Sequence, residues 1–132
     1  MANTSIPANG RTMQEIPIEQ WIPFLAEFTR ENRGAHARLE VIGCGDEPLY
    51  QVETENRPLE GVSSDVKNHD RTVWISFSSR MGAHLTHGVH HATAVHILPA
   101  TETARLVFEV ESDDGTKTIL ELTAAGAFAL EA

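Results

Sequence analysis

The sequence predicts an α+β fold, with one main N-terminal helix packed on a curved antiparallel sheet or small open barrel of six to seven short strands. Three observations point there. One stretch, Ile18 to Phe28, repeats its apolar residues at helical spacing, and most of the chain after Gly34 alternates with period two. Between two alternating runs lies Ser112-Asp113-Asp114-Gly115-Thr116, a hairpin turn whose Asp-Gly pair tolerates positive φ. At 132 residues the chain has the length of one domain, and a chain of this size can bury roughly two-thirds of its unfolded surface. The expected organisation is a loose arm over 1–14 and a single α+β domain over 15–132.

The arm contains Asn, Thr, Ser, Gly and Gln with little apolar content. From Ile16, residues Ile18, Trp21, Ile22, Leu25 and Phe28 fall on one helical face. Pro23 cannot sit in a helix interior, so a short turn over Pro17–Trp21 should precede a helix carrying Pro23 in its first turn. Arg30 and Arg33 suit the negative end of that helix, and Gly34 stops it. Ala37, Leu39 and Val41 then alternate with Arg38 and Glu40 as a half-buried strand. After a turn over Gly43–Pro48, Leu49–Glu53 reads as a short strand and Leu59–Val66 as a weaker one. Thr72–Ser78 is stronger, with Val73, Ile75 and Phe77 on one face and Trp74 on the other. Leu85–Val89, Thr93–Leu98, Arg105–Glu111 and Lys117–Thr123 complete the set, before an alanine-rich tail.

Composition narrows the function classes. Apolar residues at 41% and charged residues at 22% are ordinary for a globular protein. Ten basic against 19 acidic residues leave a formal charge of −9, which repels phosphate backbones and anionic membranes. No nucleic-acid or membrane partner is expected. One cysteine permits neither an intrachain disulfide nor a Cys-cluster zinc site. Met1 to Thr12 lacks the apolar core of a secretory signal and no run reaches membrane-spanning length, so a cytoplasmic setting is expected.

Five of the seven histidines lie between positions 84 and 96: His84, His87, His90, His91 and His96. Imidazole binds zinc, copper and nickel, so a transition-metal site is one reading. The local residue types favour a strand, where positions four apart, such as His87 and His91, stand about 13 Å apart and cannot share an ion. A site would need a bulge at Gly88, a hairpin returning His96, or a second subunit. Phosphate-binding glycine loops, dinucleotide fingerprints, zinc helices and nucleophile elbows are absent from the sequence. Cys44, in a glycine-flanked turn, and Ser63, which shares a strand side with Asp65, are the remaining nucleophile candidates for a small enzyme using a histidine.

Several short segments, in this order, resemble a bacterial family of small proteins of unassigned function. They are Ile16-Pro17 and Trp21 opening a helix that ends at Gly34; Leu59-Glu60-Gly61-Val62-Ser63-Ser64-Asp65; His84-Leu85-Thr86-His87; and Glu109 through Thr116. The resemblance implies an uncharacterised domain and supplies no catalytic residues. Where the family pattern has a proline soon after His-Leu-Thr-His, this chain has His91-Ala92, so His90, His91 and His96 are its own. The expected function is a non-catalytic binding or accessory module, acting through a protein partner or by self-association as a homo-oligomer such as a dimer, because unpaired sheet edges need covering. His84, Thr86, His87 and Asp65 are the candidate polar contacts; no catalytic residue, metal or cofactor is assigned.

Overall fold

The helical stripe folds much as its spacing requires. In the computed structural model, which describes residues 12–43, 49–67, 70–78, 84–101 and 104–123, a 3-10 turn over Ile18–Gln20 leads into α1, Trp21–Asn32. Pro23 lies in the first turn, where a missing N–H breaks no intrahelical bond. Trp21, Leu25 and Phe28 are buried. Ile18 and Ile22, expected on the same face, are 40% and 62% exposed. The reason is geometric: Ile18 belongs to the 3-10 turn, and the face that meets the sheet is the narrower line through positions 21, 25 and 28.

Among the described residues there are eight strands: β1 Gln14–Ile16, β2 His36–Gly43, β3 Leu49–Lys67, β4 Asp70–Ser78, β5 His84–Val89, β6 Ala92–Leu98, β7 Leu106–Ser112 and β8 Lys117–Leu122. They pair antiparallel in the order β1-β6-β7-β8-β2-β3-β4-β5, and the sheet does not close. The expectation of six to seven strands is therefore corrected to eight. β1 escapes a sequence reading because three residues are too few to show alternation; it is a strand through its pairing with Val95–Ile97 of β6. It also moves Gln14 from the expected arm into the sheet. The segments read as Leu49–Glu53 and Leu59–Val66 are the two halves of one strand of 19 residues. Polar Glu55-Asn56-Arg57 and Pro58 interrupt its alternation, and Asn56 takes a left-handed φ of 62°.

That long strand makes the architecture. Its first half pairs with β2 and its second half with β4. Inward residues from both parts share one core: Leu39, Val95, Phe108, Val110, Leu120 and Leu122 from one, and Leu59, Val62, Val73, Ile75, Phe77 and Val89 from the other. A single shared core requires the sheet to curl so that both parts face it. The helix closes the remaining opening, with the Phe28 ring 5.1 Å from that of Phe108. Burying each such aromatic or aliphatic side chain is worth about 1.5–3 kcal/mol.

Where β2 leaves β3, α1 takes over its edge. Thr29 Oγ1 donates to the Val62 carbonyl and accepts the Val62 N–H, both at 2.9 Å. The chain leaving the helix continues this pseudo-strand: the Gly34 N–H donates to the Leu59 carbonyl and the Leu59 N–H to that of Ala35, each at 2.8 Å. At the other end of the helix, Trp21 Nε1 donates to the Ile16 carbonyl at 2.9 Å, tying β1 to the core. Among the described residues no helix is long and apolar enough to cross a membrane.

Candidate functional site

The second half of β3, with β4 and β5, has a buried side and an outer side. Alternation sends Val62, Val73 and Ile75 inward, and the register aligns the outer residues in rows: Gly61, Ser76 and Thr86; Ser63, Trp74 and Gly88; Asp65 and Thr72. This outer face is made of glycine and hydroxyl side chains around one indole. Ser76 Oγ and Thr86 Oγ1 are 3.2 Å apart, and His84 Nδ1 lies 2.8 Å from Glu60 Oε1. Trp74 lies across Gly88, where an added Cβ would come within 2.6 Å of the ring. His90 meets the indole edge-on at 5.7 Å and 86°, with its Nδ1 3.3 Å from Thr72 Oγ1. Trp74 stays 37% exposed.

A groove of about 460 Å³ runs between α1 and this face, lined by Ala26, Thr29, Arg33, Glu60, Gly61, Val62, Ser63 and Ser76. Gly61 is needed for the close approach of helix and strand, since a Cβ there would sit 3.1 Å from the Thr29 methyl. Arg33 Nε donates to the Glu60 carbonyl at 3.2 Å. By contrast, on β2 and the first half of β3 three polar side chains satisfy one another. Arg38 pairs with Glu40, and the Tyr50 hydroxyl donates to Glu40 Oε1 at 2.6 Å. The Tyr50 hydroxyl, and then Arg38, hold the Glu40 carboxyl below the usual carboxylate range.

The five histidines between positions 84 and 96 divide among three places. His84 and Thr86 stand on the outer face, while His87 is on the opposite side of β5. β5 ends at Val89, and the chain turns into β6 through His90 and His91, the latter with a left-handed φ of 55°. That corner brings His87, His90 and His91 to one recess of about 260 Å³, beside Asp113 and Asp114. The strand period hid this gathering, because it depends on a corner that sequence spacing does not show. His91 Nδ1 lies 3.3 Å from Asp70 Oδ1, and the Asp113 N–H donates to the His91 carbonyl at 3.0 Å. Burial lowers the His87 pKa below the ordinary imidazole value, with Glu53 opposing and His90 reinforcing the shift. His96 stands apart on β6, its nitrogens 3.7 Å from Glu15 and 3.9 Å from Glu109.

Among the described residues no group of three or more His, Cys, Asp or Glu side chains is placed to hold a metal ion. Ser63 is exposed on the outer face and, among the described residues, hydrogen-bonds to no histidine. Cys44 lies outside the described residues. Asp65 faces outward in the row of Thr72. Trp74, Arg33, Glu60 and Ser76 were not among the candidate polar contacts read from the sequence. The available signal was Trp74 itself, an aromatic out of phase with Val73, Ile75 and Phe77 and so set on the polar side of its strand.

β5 also ends the sheet. It pairs with β4 in unbroken register from His84 to Val89, and no strand lies on its other side among the described residues. Leu85 on one side of the strand is 37% exposed, matching Trp74 on the other. No curated protein and no solved structure matches the chain. One family does, over residues 12–128 and hence across the helix, all eight strands and the outer face, and the chain belongs to it: the family of unknown function DUF5335.

Proposed function

We propose that this domain is a non-catalytic binding module that accepts a strand along β5, from a protein partner or a second copy of itself. The observation that carries this reading is the chemistry of the β5 edge. Exposed edges invite another chain, and natural sheets blunt them with lysine, proline, bulges or short strands. His84-Leu85-Thr86-His87-Gly88-Val89 has six residues, no Lys, Pro, Asp or Glu, and no bulge against β4. An added strand gains main-chain hydrogen bonds, and alternate side chains on its two sides supply selectivity. Here those sides offer Leu85 on one and the Trp74 indole on the other.

The formal charge of −9 disfavours polyanionic partners, so a protein strand is the ligand class that fits. A single cysteine is consistent with a cytoplasmic setting, which is part of this reading. The test is light scattering from micromolar to about millimolar concentration, at low and physiological salt, combined with affinity capture from the source cells. The expected result is a dimer or a captured partner with wild-type protein, lost in Thr86→Lys, which places a charge on the edge. Association that Thr86→Lys leaves intact would overturn the reading, as would a strict monomer that captures nothing.

A further inference from the structure

We infer that the groove between α1 and the outer face, together with Trp74, is a binding site for a neutral saccharide, at least two sugar units long. Its volume, about 460 Å³, lies in the range of small-molecule sites. Its walls carry hydrogen-bonding groups of both kinds. Arg33 is steadied by its Nε bond to the Glu60 carbonyl and has no carboxylate partner among the described residues, so its terminal N–H groups are left to donate. Glu60 uses Oε1 toward His84, leaving Oε2 to accept. Ser63 and Ser76 add hydroxyls that can do either. One guanidinium and one carboxylate leave the groove without net charge, which selects against simple anions and suits vicinal hydroxyls.

The floor and the far wall complete the match. Gly61 and Ala26 put little bulk into the groove, so a ring can lie close to the backbone. Ser63 is the direct cross-strand neighbour of Trp74, so groove and indole share one face. The indole leans away from the groove onto Gly88 of β5. From the β3 floor to that indole is two strand spacings, roughly 10 Å, which is the span of a disaccharide. One unit then occupies the groove while the apolar face of the next stacks on Trp74, an aromatic surface with a polar surround. This site shares the Trp74 indole with the β5 edge, but its groove residues Gly61, Ser63 and Ser76 lie on β3 and β4, so saccharide shifts at those residues and strand docking along β5 are read separately.

The test uses the full chain and a panel of cellobiose, maltose, trehalose, lactose and di-N-acetylchitobiose, with glucose, acetate and citrate as controls, read by amide and indole chemical shifts. At least one disaccharide should move Gly61, Ser63, Ser76 and the Trp74 indole N–H together, and bind more tightly than glucose. Trp74→Ala and Ser63→Leu, both at outer-face positions, should each weaken that binding about tenfold while their amide spectra remain those of the folded domain. Three results would overturn the inference: no disaccharide moving these signals, binding that survives both variants, or shifts confined to Arg33 and produced only by acetate and citrate.

Discussion

β1 and β5 both end the eight-stranded sheet, and they meet solvent in opposite ways. β1 has three residues, exposes Glu15, and runs straight into Pro17; the Ile16 carbonyl is held by the Trp21 indole. It is short, charged and tethered, which are the usual means of keeping a sheet edge from pairing. β5 has six residues, none of them formally charged at neutral pH with its histidines neutral, and an unbroken register. The same chain therefore blunts one edge and leaves the other bare. The helix shows that a third stretch of edge, in the second half of β3, is covered by Thr29 and Ala35. Of these three edges β5 is the one without a guard, and that difference is the basis for assigning docking to β5.

The largest expected effect breaks the guarded side. Trp21 is fully buried, so Trp21→Ala should destabilise the domain by about 3–5 kcal/mol in a denaturant melt, and Trp21→Phe should retain most of the core while hastening amide exchange in β1. If Trp21→Phe leaves β1 exchange unchanged, the indole is not its tether. Thr29→Val removes both bonds to Val62. Leaving the Val62 N–H and carbonyl without that partner should cost about 1–3 kcal/mol, and a loss within experimental error would mean that the helix does not guard β3 by this contact.

Smaller effects sharpen the bare side. Gly88→Ala must push the indole of Trp74 off β5, at about 1 kcal/mol. Trp21 is buried, so a red shift in tryptophan fluorescence would report Trp74 alone; an unshifted spectrum would contradict the close approach. The smallest effect is on pH dependence. The folded state holds the His87 pKa below its ordinary value of 6.5, chiefly through burial. Its favourable contribution is full above that value and is lost as pH falls from there toward the folded pKa. Between about pH 7.5 and 5.5, wild type should lose more stability than His87→Gln; equal losses would show that His87 is not the group responsible.

Much of this architecture was legible in the residues. The position of Pro23 fixed the helix start, the Asp114-Gly115 turn marked the β7–β8 hairpin, and alternation placed Val73, Ile75 and Phe77 in the core. Three things were not legible, each for a physical reason. β1 draws its strand character from β6 rather than from its own three residues. The halves of β3 read as two strands because Asn56 and Pro58 break the alternation without breaking the strand. The recess shared by His87, His90 and His91 arises from a corner at His91, and side-chain period says nothing about corners. The candidate polar residues His84 and Thr86 fall on the outer face, whereas Arg33 reaches that face from the helix, which no strand pattern could reveal.

Amide hydrogen exchange of the β5 backbone, followed against protein concentration and against any captured partner, tests the docking assignment most directly. If β5 accepts a strand, the amides from His84 to Val89 that face away from β4 should become protected as association proceeds, while those of β1 stay unchanged. β5 amides that exchange at the same rate in the free and associated protein, with protection arising elsewhere, would contradict it.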